Sequence, residues 1–247
     1  MNSVLLKQIK IPKPNAEQRD KFPFTLPLYR DGLMLNFDKP ITILAGDNAS
    51  GKSTLLESLS VSCGFPIQGG LHGLIGRKTY GTNGYGEEIV IEPDNLDLGK
   101  HMQLSWAQRY NGRGFFFRAE YMTETLAQFA KASHYLSCSH GEGLLEVIKD
   151  RFRNGLFILD EPETALSPVS QLALISLVYE NVRRYFAQYI IVTHSPILMA
   201  IPESSFYWIE DGKFNKMHYS ESPHFKITKA FCENPERMMG HLFVDSI

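Results

Sequence analysis

The segment that decides the fold runs from Ile41 to Thr54 and reads Ile-Thr-Ile-Leu-Ala-Gly-Asp-Asn-Ala-Ser-Gly-Lys-Ser-Thr. Its first five residues form an apolar run, which is typical of a strand buried in a sheet. The next eight match the pattern G-x-x-x-x-G-K-[ST], and spaced leucines then predict a helix from Ser53 to Val61. A strand, a glycine-bounded loop and a helix are the context that this pattern requires, so we expect a phosphate site where the helix begins.

The residue types of this loop explain how it would hold a nucleotide. The glycines let backbone N–H groups approach a phosphate, Lys52 supplies a cation to the β- and γ-phosphates, and the Ser53 hydroxyl is a ligand for Mg²⁺. An ordinary glycine turn before a helix is the alternative. The predicted nucleotide-binding residues of the segment are Gly46, Asp47, Asn48, Ala49, Ser50, Gly51, Lys52, Ser53 and Thr54.

Two adjacent carboxylates follow a second buried strand, which we predict at residues 155–160. Doubly wound α/β folds place their ligands at the carboxyl edge of the sheet, where such a strand ends. Asp160 is suited to hold Mg²⁺ through water, and Glu161 is suited to orient the attacking water or to accept its proton. Together with the loop, this pair predicts a nucleoside triphosphatase.

In this order the motifs resemble those of the ABC-type ATPases, which include transporter nucleotide-binding subunits and chromosome-maintenance and DNA-repair ATPases. The segment from Glu161 to Pro168 is similar to the acidic pair and D-loop of that family, and residues 193–196, Thr-His-Ser-Pro, are similar to its switch segment. The resemblance implies ATP and Mg²⁺ as cofactors and contact between His194 and the γ-phosphate. It also implies a catalytic set of Lys52, Glu161 and His194.

Residues 138–142, Cys-Ser-His-Gly-Glu, resemble the L-S-G-G-Q signature loop of the family. Ser139, Gly141 and Glu142 match its Ser, second Gly and Gln, whereas His140 replaces the first Gly and would crowd the approach of the backbone to a phosphate. The resemblance implies that this loop completes the nucleotide site of a second subunit. It therefore implies a homodimer that sandwiches ATP.

The family's Q-loop position falls in residues 117–120, Phe-Arg-Ala-Glu, which contain no glutamine. Glu120 is the residue that we predict to contact the metal there, beside Ser53 and Asp160. A plain carboxylate at the end of a strand is an equally good interpretation of Glu120.

The rest of the chain predicts further elements around these motifs. We expect an irregular glycine-rich loop at 69–86, a β-hairpin across 102–118 and two helices between 123 and 153 with a break around 137–143. Ser167 and Pro168 predict a helix start, and a late hairpin and short helices from Thr228 follow. The expected apolar face of the helix after Pro168 consists of Val169, Leu172, Ile175, Tyr179, Val182 and Phe186.

These elements and the resemblance predict an α/β P-loop fold. It has a mixed, mostly parallel core sheet flanked by helices, an antiparallel β lobe and a small helical signature lobe. We expect one domain over residues 1–247. Its parts are a β lobe with the phosphate loop at 1–120, a helical signature lobe at 121–154, and the remainder of the core at 155–247.

Composition excludes several other classes of protein. Lys and Arg total 25 against 27 for Asp and Glu, which argues against a chain that mainly coats nucleic acid, although a local basic patch stays open. Three cysteines without a close pair suggest neither a disulfide framework nor a thiolate zinc site. No apolar run approaches the roughly 18 residues of a membrane helix. We therefore expect a cytoplasmic protein that does not insert into a membrane.

The sequence thus predicts Mg²⁺-dependent ATP binding and hydrolysis by a nucleotide-sandwich dimer that drives or gates a separate effector protein. Two alternatives stay open: the nucleotide-binding subunit of an ABC transporter, and a DNA-associated or defence-type ATPase that controls a nuclease. The segment between Lys52 and Ser139 is too short for a long coiled coil, which excludes chromosome tethering through a hinge.

Overall fold

The computed structural model describes residues 4–71, 80–82, 88–90, 96–126, 140–151 and 153–243. Ser139 and most of the predicted glycine-rich loop lie outside these ranges, as does the first part, 137–139, of the helix break predicted around 137–143. The rest of that break is wrong, because residues 140–143 are helical. Two short strands, Gly70–Leu71 and Tyr80–Thr82, occur within the described parts of the predicted glycine-rich loop, where we expected no regular element.

The strands are β1 (Leu6–Ile11), β2 (Leu33–Asn36), β3 (Ile41–Gly46), β4 (Gly70–Leu71), β5 (Tyr80–Thr82), β6 (Glu88–Val90), β7 (Gln103–Trp106), β8 (Gly114–Arg118), β9 (Gly155–Asp160), β10 (Ala187–Val192), β11 (Ser205–Glu210) and β12 (Lys213–Lys216). The helices are α1 (Pro27–Arg30), α2 (Lys52–Ser62), α3 (Leu96–His101), α4 (Met122–Leu126), α5 (His140–Arg151), α6 (Pro168–Arg184), α7 (Pro196–Met199), α8 (Pro223–Glu233) and α9 (Pro235–Phe243). Among the described residues, no helix combines the length and the apolar character needed to cross a bilayer.

A seven-stranded sheet forms the core, in the order β12-β11-β3-β10-β9-β8-β4. Its five inner strands are parallel, and the two outermost strands pair antiparallel. Every residue of β3, β9 and β10 is buried, because helices and the second sheet cover both faces. This arrangement confirms the predicted fold class and gathers the carboxyl ends of β3, β8, β9 and β10 at one edge.

A three-stranded antiparallel sheet, in the order β2-β1-β7, packs beside the core. Gln188 of β10 connects the two sheets and is fully buried. Its Oε1 accepts hydrogen bonds from the backbone N–H groups of Leu5 (3.0 Å) and Leu6 (2.7 Å), and its Nε2 donates to the Leu6 carbonyl oxygen (3.0 Å). The side-chain amide of Gln188 thus makes hydrogen bonds with the backbone at the start of β1, as the backbone of a neighbouring strand would.

The predicted hairpin across 102–118 is wrong, because its two strands lie in different sheets. β7 pairs with β1, whereas β8 lies between β9 and β4 in the core. Phe115, Phe116 and Phe117 are all fully buried, which requires a sheet covered on both faces. β7 alternates between exposed and half-buried residues and therefore suits the edge of the smaller sheet.

The predicted apolar face of α6 is wrong in part. Val182 is buried and Ile175 packs against the core, as expected. Val169 and Leu172 are 76% and 59% exposed, and Phe186 is exposed after the helix ends. The buried side includes Gln171 and Asn181, whose polar groups have partners there: Gln171 Nε2 donates to the Leu166 carbonyl oxygen at 3.1 Å, and Asn181 Nδ2 donates to the Tyr189 hydroxyl at 2.9 Å. Hydrophobic periodicity does not identify buried polar residues whose hydrogen bonds are satisfied within the core.

Two further local predictions, the start of α6 and the late hairpin, are confirmed. The Ser167 hydroxyl accepts the Ser170 N–H at 3.2 Å where α6 begins, and Pro168 is its first residue. β11 and β12 form the late hairpin. The last helices begin at Pro223, five residues before the position predicted, because Ser222 caps α8 and Pro223 opens it.

Candidate functional site

The loop between β3 and α2 has a backbone shape that accommodates an anion. Gly46 must be glycine, since a Cβ there would lie 2.5 Å from the Ile209 carbonyl oxygen, and Gly51 has φ 93° just before α2. Helical hydrogen bonding starts with the Leu55 N–H to the Gly51 carbonyl oxygen, so the preceding amides of the first turn have no partner within the helix. Free N–H groups and the positive end of the helix dipole suit a phosphate.

Lys52 lies inside this loop. Its Nζ donates to the carbonyl oxygens of Gly46 (2.9 Å) and Asp47 (2.7 Å) and to the Ser50 hydroxyl (3.1 Å). The residue is 5% exposed, and burial lowers the pKa of its ammonium while Glu161 and Asp160 act in the opposite direction. The sequence thus places a buried cation within the loop where the phosphate chain would lie.

Further residues of the site come from the end of β9 and the segment that follows it. Glu161 has the left-handed backbone φ of 47°, and its N–H donates to the Val192 carbonyl oxygen at 3.0 Å. Its Oε1 lies 3.4 Å from His194 Nε2. Burial, and to a lesser degree Lys52, lowers the pKa of His194, so the imidazole is neutral at pH 7 and can donate one N–H to the carboxylate.

Two cavities meet at these residues. A cavity of about 370 Å³ is lined by the phosphate loop, Glu161 and His194, so that the three predicted catalytic residues share one space with the loop. A cavity of about 590 Å³ adjoins it and is lined by Ser53, Glu120, Asp160 and Glu161, among others. The three predicted metal contacts, from three separate elements, therefore face the same cavity.

This donor set fits Mg²⁺. Hydroxyl and carboxylate oxygens are the ligands that this hard cation takes, together with waters and phosphate oxygens. Asp160 Oδ1 is buried and has no hydrogen-bond partner among the residues that the structure describes, as expected of an atom reserved for another ligand. Ser53, Asp160 and Glu120 would hold the ion, and Glu120 is the least constrained because its side chain is 73% exposed.

Arg118 is a member of the site that sequence analysis missed. Its guanidinium contacts Glu57 Oε1 at 2.8 Å and Glu120 Oε2 at 3.3 Å, and its Nε lies 3.7 Å from Asp160 Oδ2. β8 is the parallel neighbour of β9, with Arg118 opposite Asp160 in the register. The hairpin interpretation concealed this pairing, because it paired β8 with β7 instead of with the acidic strand.

Glu163 and Gln171 were also missed, and both fix the position of the segment that contains His194. Glu163 Oε1 accepts the His194 backbone N–H at 2.5 Å, and the Ser195 hydroxyl donates to Gln171 Oε1 at 2.5 Å. Burial raises the pKa of Glu163. No local pattern marks either residue, because their partners lie 31 and 24 residues away along the chain.

The signature loop is only partly described. Gly141 and Glu142 belong to the first turn of α5, and Glu142 is exposed. Ser139 precedes the described part of this helix. The roles of all three residues remain predictions.

Burial makes Asp160 sensitive to pH. Loss of solvent raises the pKa of its carboxyl well above its usual range, to about 7, although Arg118 opposes the shift. The folded state therefore favours the protonated acid, and this contribution to stability is present at low pH and lost as the pH rises through about 7.

We expect Asp160→Asn, which cannot ionise, to gain stability relative to the wild-type chain as the pH rises. Between pH 5 and pH 8 the difference in the free energy of unfolding should grow by about 2–3 kcal/mol in favour of the variant. Chemical unfolding at both pH values, without nucleotide or Mg²⁺, measures this difference. Asp20→Asn, at an exposed position, is the control. An equal difference in the free energy of unfolding at both pH values would contradict the buried-acid assignment.

Comparisons with known proteins agree with this geometry. Residues 26–82 match a family model described as an AAA domain, a stretch that contains β3, the phosphate loop and α2. No curated protein sequence matches the chain.

Solved structures with a similar fold include the ATP binding subunit of an ABC transporter and the SMC head domain from Thermotoga maritima. The transporter subunit has a TM-score of 0.47 and 15% identity, with 93% of this chain and 94% of that chain covered. The SMC head domain has a TM-score of 0.44 and 13% identity, with 87% of this chain and 99% of that chain covered.

The predicted recognition is confirmed at the level of the P-loop ATPase domain. The family match spans the phosphate loop, and the core sheet brings Asp160, Glu161 and His194 to the same edge. The matched residues form the phosphate loop with its flanking strand and helix, a site suited to a nucleotide.

Proposed function

We propose that this P-loop ATPase binds ATP with Mg²⁺ and hydrolyses it as an ABC-type nucleotide-sandwich dimer that gates a separate effector protein in the cytoplasm. The observation that carries the proposal is the convergence of Lys52, Glu161 and His194 on the cavity beside the phosphate loop. The phosphate loop with Lys52, Glu161 and His194 follow the ends of three parallel strands of the core sheet, namely β3, β9 and β10.

Each residue has a role that follows from its position. The loop amides and Lys52 bind the phosphates and orient the γ-phosphate towards Glu161. Glu161 then orients the attacking water or accepts its proton, and the neutral His194 donates a hydrogen bond in the same cavity. Mg²⁺, held by Ser53 and Asp160 with Glu120 nearby, supplies neutralisation of the phosphate charge when bound.

The dimer supplies the part of the site that one chain lacks. Ser139, Gly141 and Glu142 of one subunit would approach the γ-phosphate held by Lys52 of the other, and the backbone amides at the start of α5 suit that approach. The proposal keeps the predicted division of the chain, with the phosphate loop in 1–120, the signature lobe in 121–154 and the switch histidine in 155–247.

Mixed dimers test this arrangement. Ser139→Arg places a bulky cation where the phosphate must approach, so the variant should bind ATP as a monomer without dimerising or hydrolysing it. Lys52→Ala should fail at its own phosphate loop but keep an intact signature loop. Mixing an excess of Ser139→Arg subunits with Lys52→Ala subunits should restore one composite site and measurable phosphate release.

Both variants must first be shown to be folded by their thermal unfolding. Activity that stays at the level of the separate variants at every mixing ratio would contradict the trans arrangement. Full hydrolysis by Ser139→Arg alone would contradict it as well.

A further inference from the structure

His224 reaches the nucleotide site from a part of the chain that carries no recognised motif. It is the second residue of α8, whose start is fixed by the buried Ser222, where the hydroxyl accepts the Phe225 N–H at 3.4 Å. The His224 side chain is 27% exposed. Later residues of the same helix turn to solvent, with Ile227 59% and Phe231 43% exposed. Only the first turn of α8 is therefore packed against the site.

The His224 ring contacts three separate elements. Its centroid lies 5.2 Å from that of His194, with the planes tilted by 37°. Its centroid lies 4.9 Å from that of Trp208 of β11, with the planes at 85°, a favourable arrangement for aromatic rings. Its Nε2 lies 3.9 Å from Asp47 Oδ1 in the phosphate loop. One side chain thus connects the switch histidine, the core sheet and the phosphate loop.

These contacts complete the support around His194. Its backbone N–H is held by Glu163, and its Nε2 faces Glu161. His224 packs against the ring of His194, and Trp208 in turn supports His224. Burial lowers the pKa of both histidines, Lys52 lowers that of His194 further, and His194 and Lys52 lower that of His224 further. These shifts favour the neutral form of both rings, which can pack without charge repulsion.

We propose that His224 is a positioning residue of the nucleotide site, which fixes the His194 ring beside Glu161 and ties the start of α8 to the presence of nucleotide. The inference rests on the proposed function, because it assigns His194 a place at the γ-phosphate. It adds a residue from outside every motif of the site and gives the C-terminal helices a physical link to the nucleotide.

Substitution of the ring tests the proposal. His224→Ala removes the support of His194 and should lower kcat by about 10-fold or more, as misplacement of a catalytic group by about 1 Å can cost about 10²-fold. Affinity for ATP should change little, because the loop and Lys52 remain intact. His224→Phe keeps an aromatic ring against Trp208 and His194 and should restore most of kcat. His218→Ala, at an exposed histidine just before α8, is the matched control.

A double variant separates positioning from a general structural effect. In a His194→Ala background the ring that His224 positions is gone, so adding His224→Ala should cause no further loss of kcat. A merely structural role predicts the same fold-loss in both backgrounds. Additive losses, wild-type kcat in His224→Ala, or no rescue by His224→Phe would each overturn the proposal.

Hydrogen exchange provides a second measurement that needs no variant. Amides of residues 225–233 should exchange more slowly in the wild-type chain when a non-hydrolysable ATP analogue and Mg²⁺ are bound, and unchanged exchange would overturn the link to α8. The two proposals fail in distinguishable ways. A wild-type chain that hydrolyses no ATP contradicts the proposed function, whereas an active wild-type chain with an equally active His224→Ala variant contradicts this inference alone.

Discussion

Lys52→Ala should lose ATP binding, with an affinity at least about 10²-fold below that of the wild-type chain, because hydrogen bonds to charged groups contribute about 1.5–3 kcal/mol each. The ammonium already lies within the loop and has three hydrogen-bond partners there. Removing it leaves the phosphates with backbone amides but no cation. Titration with a fluorescent ATP analogue measures the loss.

Lys39→Ala is the matched control for Lys52→Ala. Lys39 also donates to a backbone carbonyl, that of Ser204 at 3.0 Å, but it is exposed and lines neither cavity of the site. Its removal should leave ATP affinity unchanged. Thermal unfolding of both variants shows whether the loop still folds, and wild-type affinity in a folded Lys52→Ala protein would remove the phosphate-loop assignment.

Glu161→Gln should keep ATP binding and lower turnover by about 10²–10⁴-fold, the range that a general base contributes. Glutamine has the same shape and can still accept a hydrogen bond from His194 Nε2, 3.4 Å away in the wild-type chain, but it cannot accept the proton of water. Phosphate release measures turnover. Because ATP would persist in the site, light scattering should also show an ATP-dependent dimer of this variant.

Glu203→Gln controls for the unusual backbone at position 161. Glu203 has a left-handed φ of 59°, close to the 47° of Glu161, but it lines neither cavity of the site. If the same substitution at Glu203 lowered turnover equally, the loss would reflect the backbone rather than a base. A Glu161→Gln chain that turns over ATP at the wild-type rate would contradict the catalytic role, and a monomeric ATP-bound variant would contradict the sandwich.

Sequence analysis predicted the parts of the site that are encoded locally. The phosphate loop needs glycines, a lysine and a serine within one short stretch of sequence, and Asp160 ends a buried strand that Glu161 directly follows. His194 likewise follows shortly after a strand of the same sheet, which ends at Val192. Because carboxyl ends of parallel strands meet at one edge, the local patterns were enough to expect that these residues come together.

The residues that were missed depend on pairings between distant parts of the chain. Arg118 joins Asp160 only because β8 lies next to β9, which the hairpin interpretation did not allow. Glu163 and Gln171 bind backbone and hydroxyl groups of the segment that contains His194, and His224 arrives from the C-terminal helices. Hydrophobic periodicity does not reveal such polar contacts, because polar residues carry no hydrophobic signal. For the same reason it placed exposed residues on the predicted buried face of α6.

The position of β3 in the core sheet constrains the order of events during synthesis. Both parallel neighbours of β3, β10 and β11, begin after residue 186, although β3 itself ends at Gly46. β1 likewise waits for Gln188 to bond with its backbone. A ribosome must therefore release most of the polypeptide before β3 finds its neighbouring strands, and contacts of such long sequence separation are slow to form. Until then, the apolar residues of β3 remain without their sheet and exposed to association with other nascent chains.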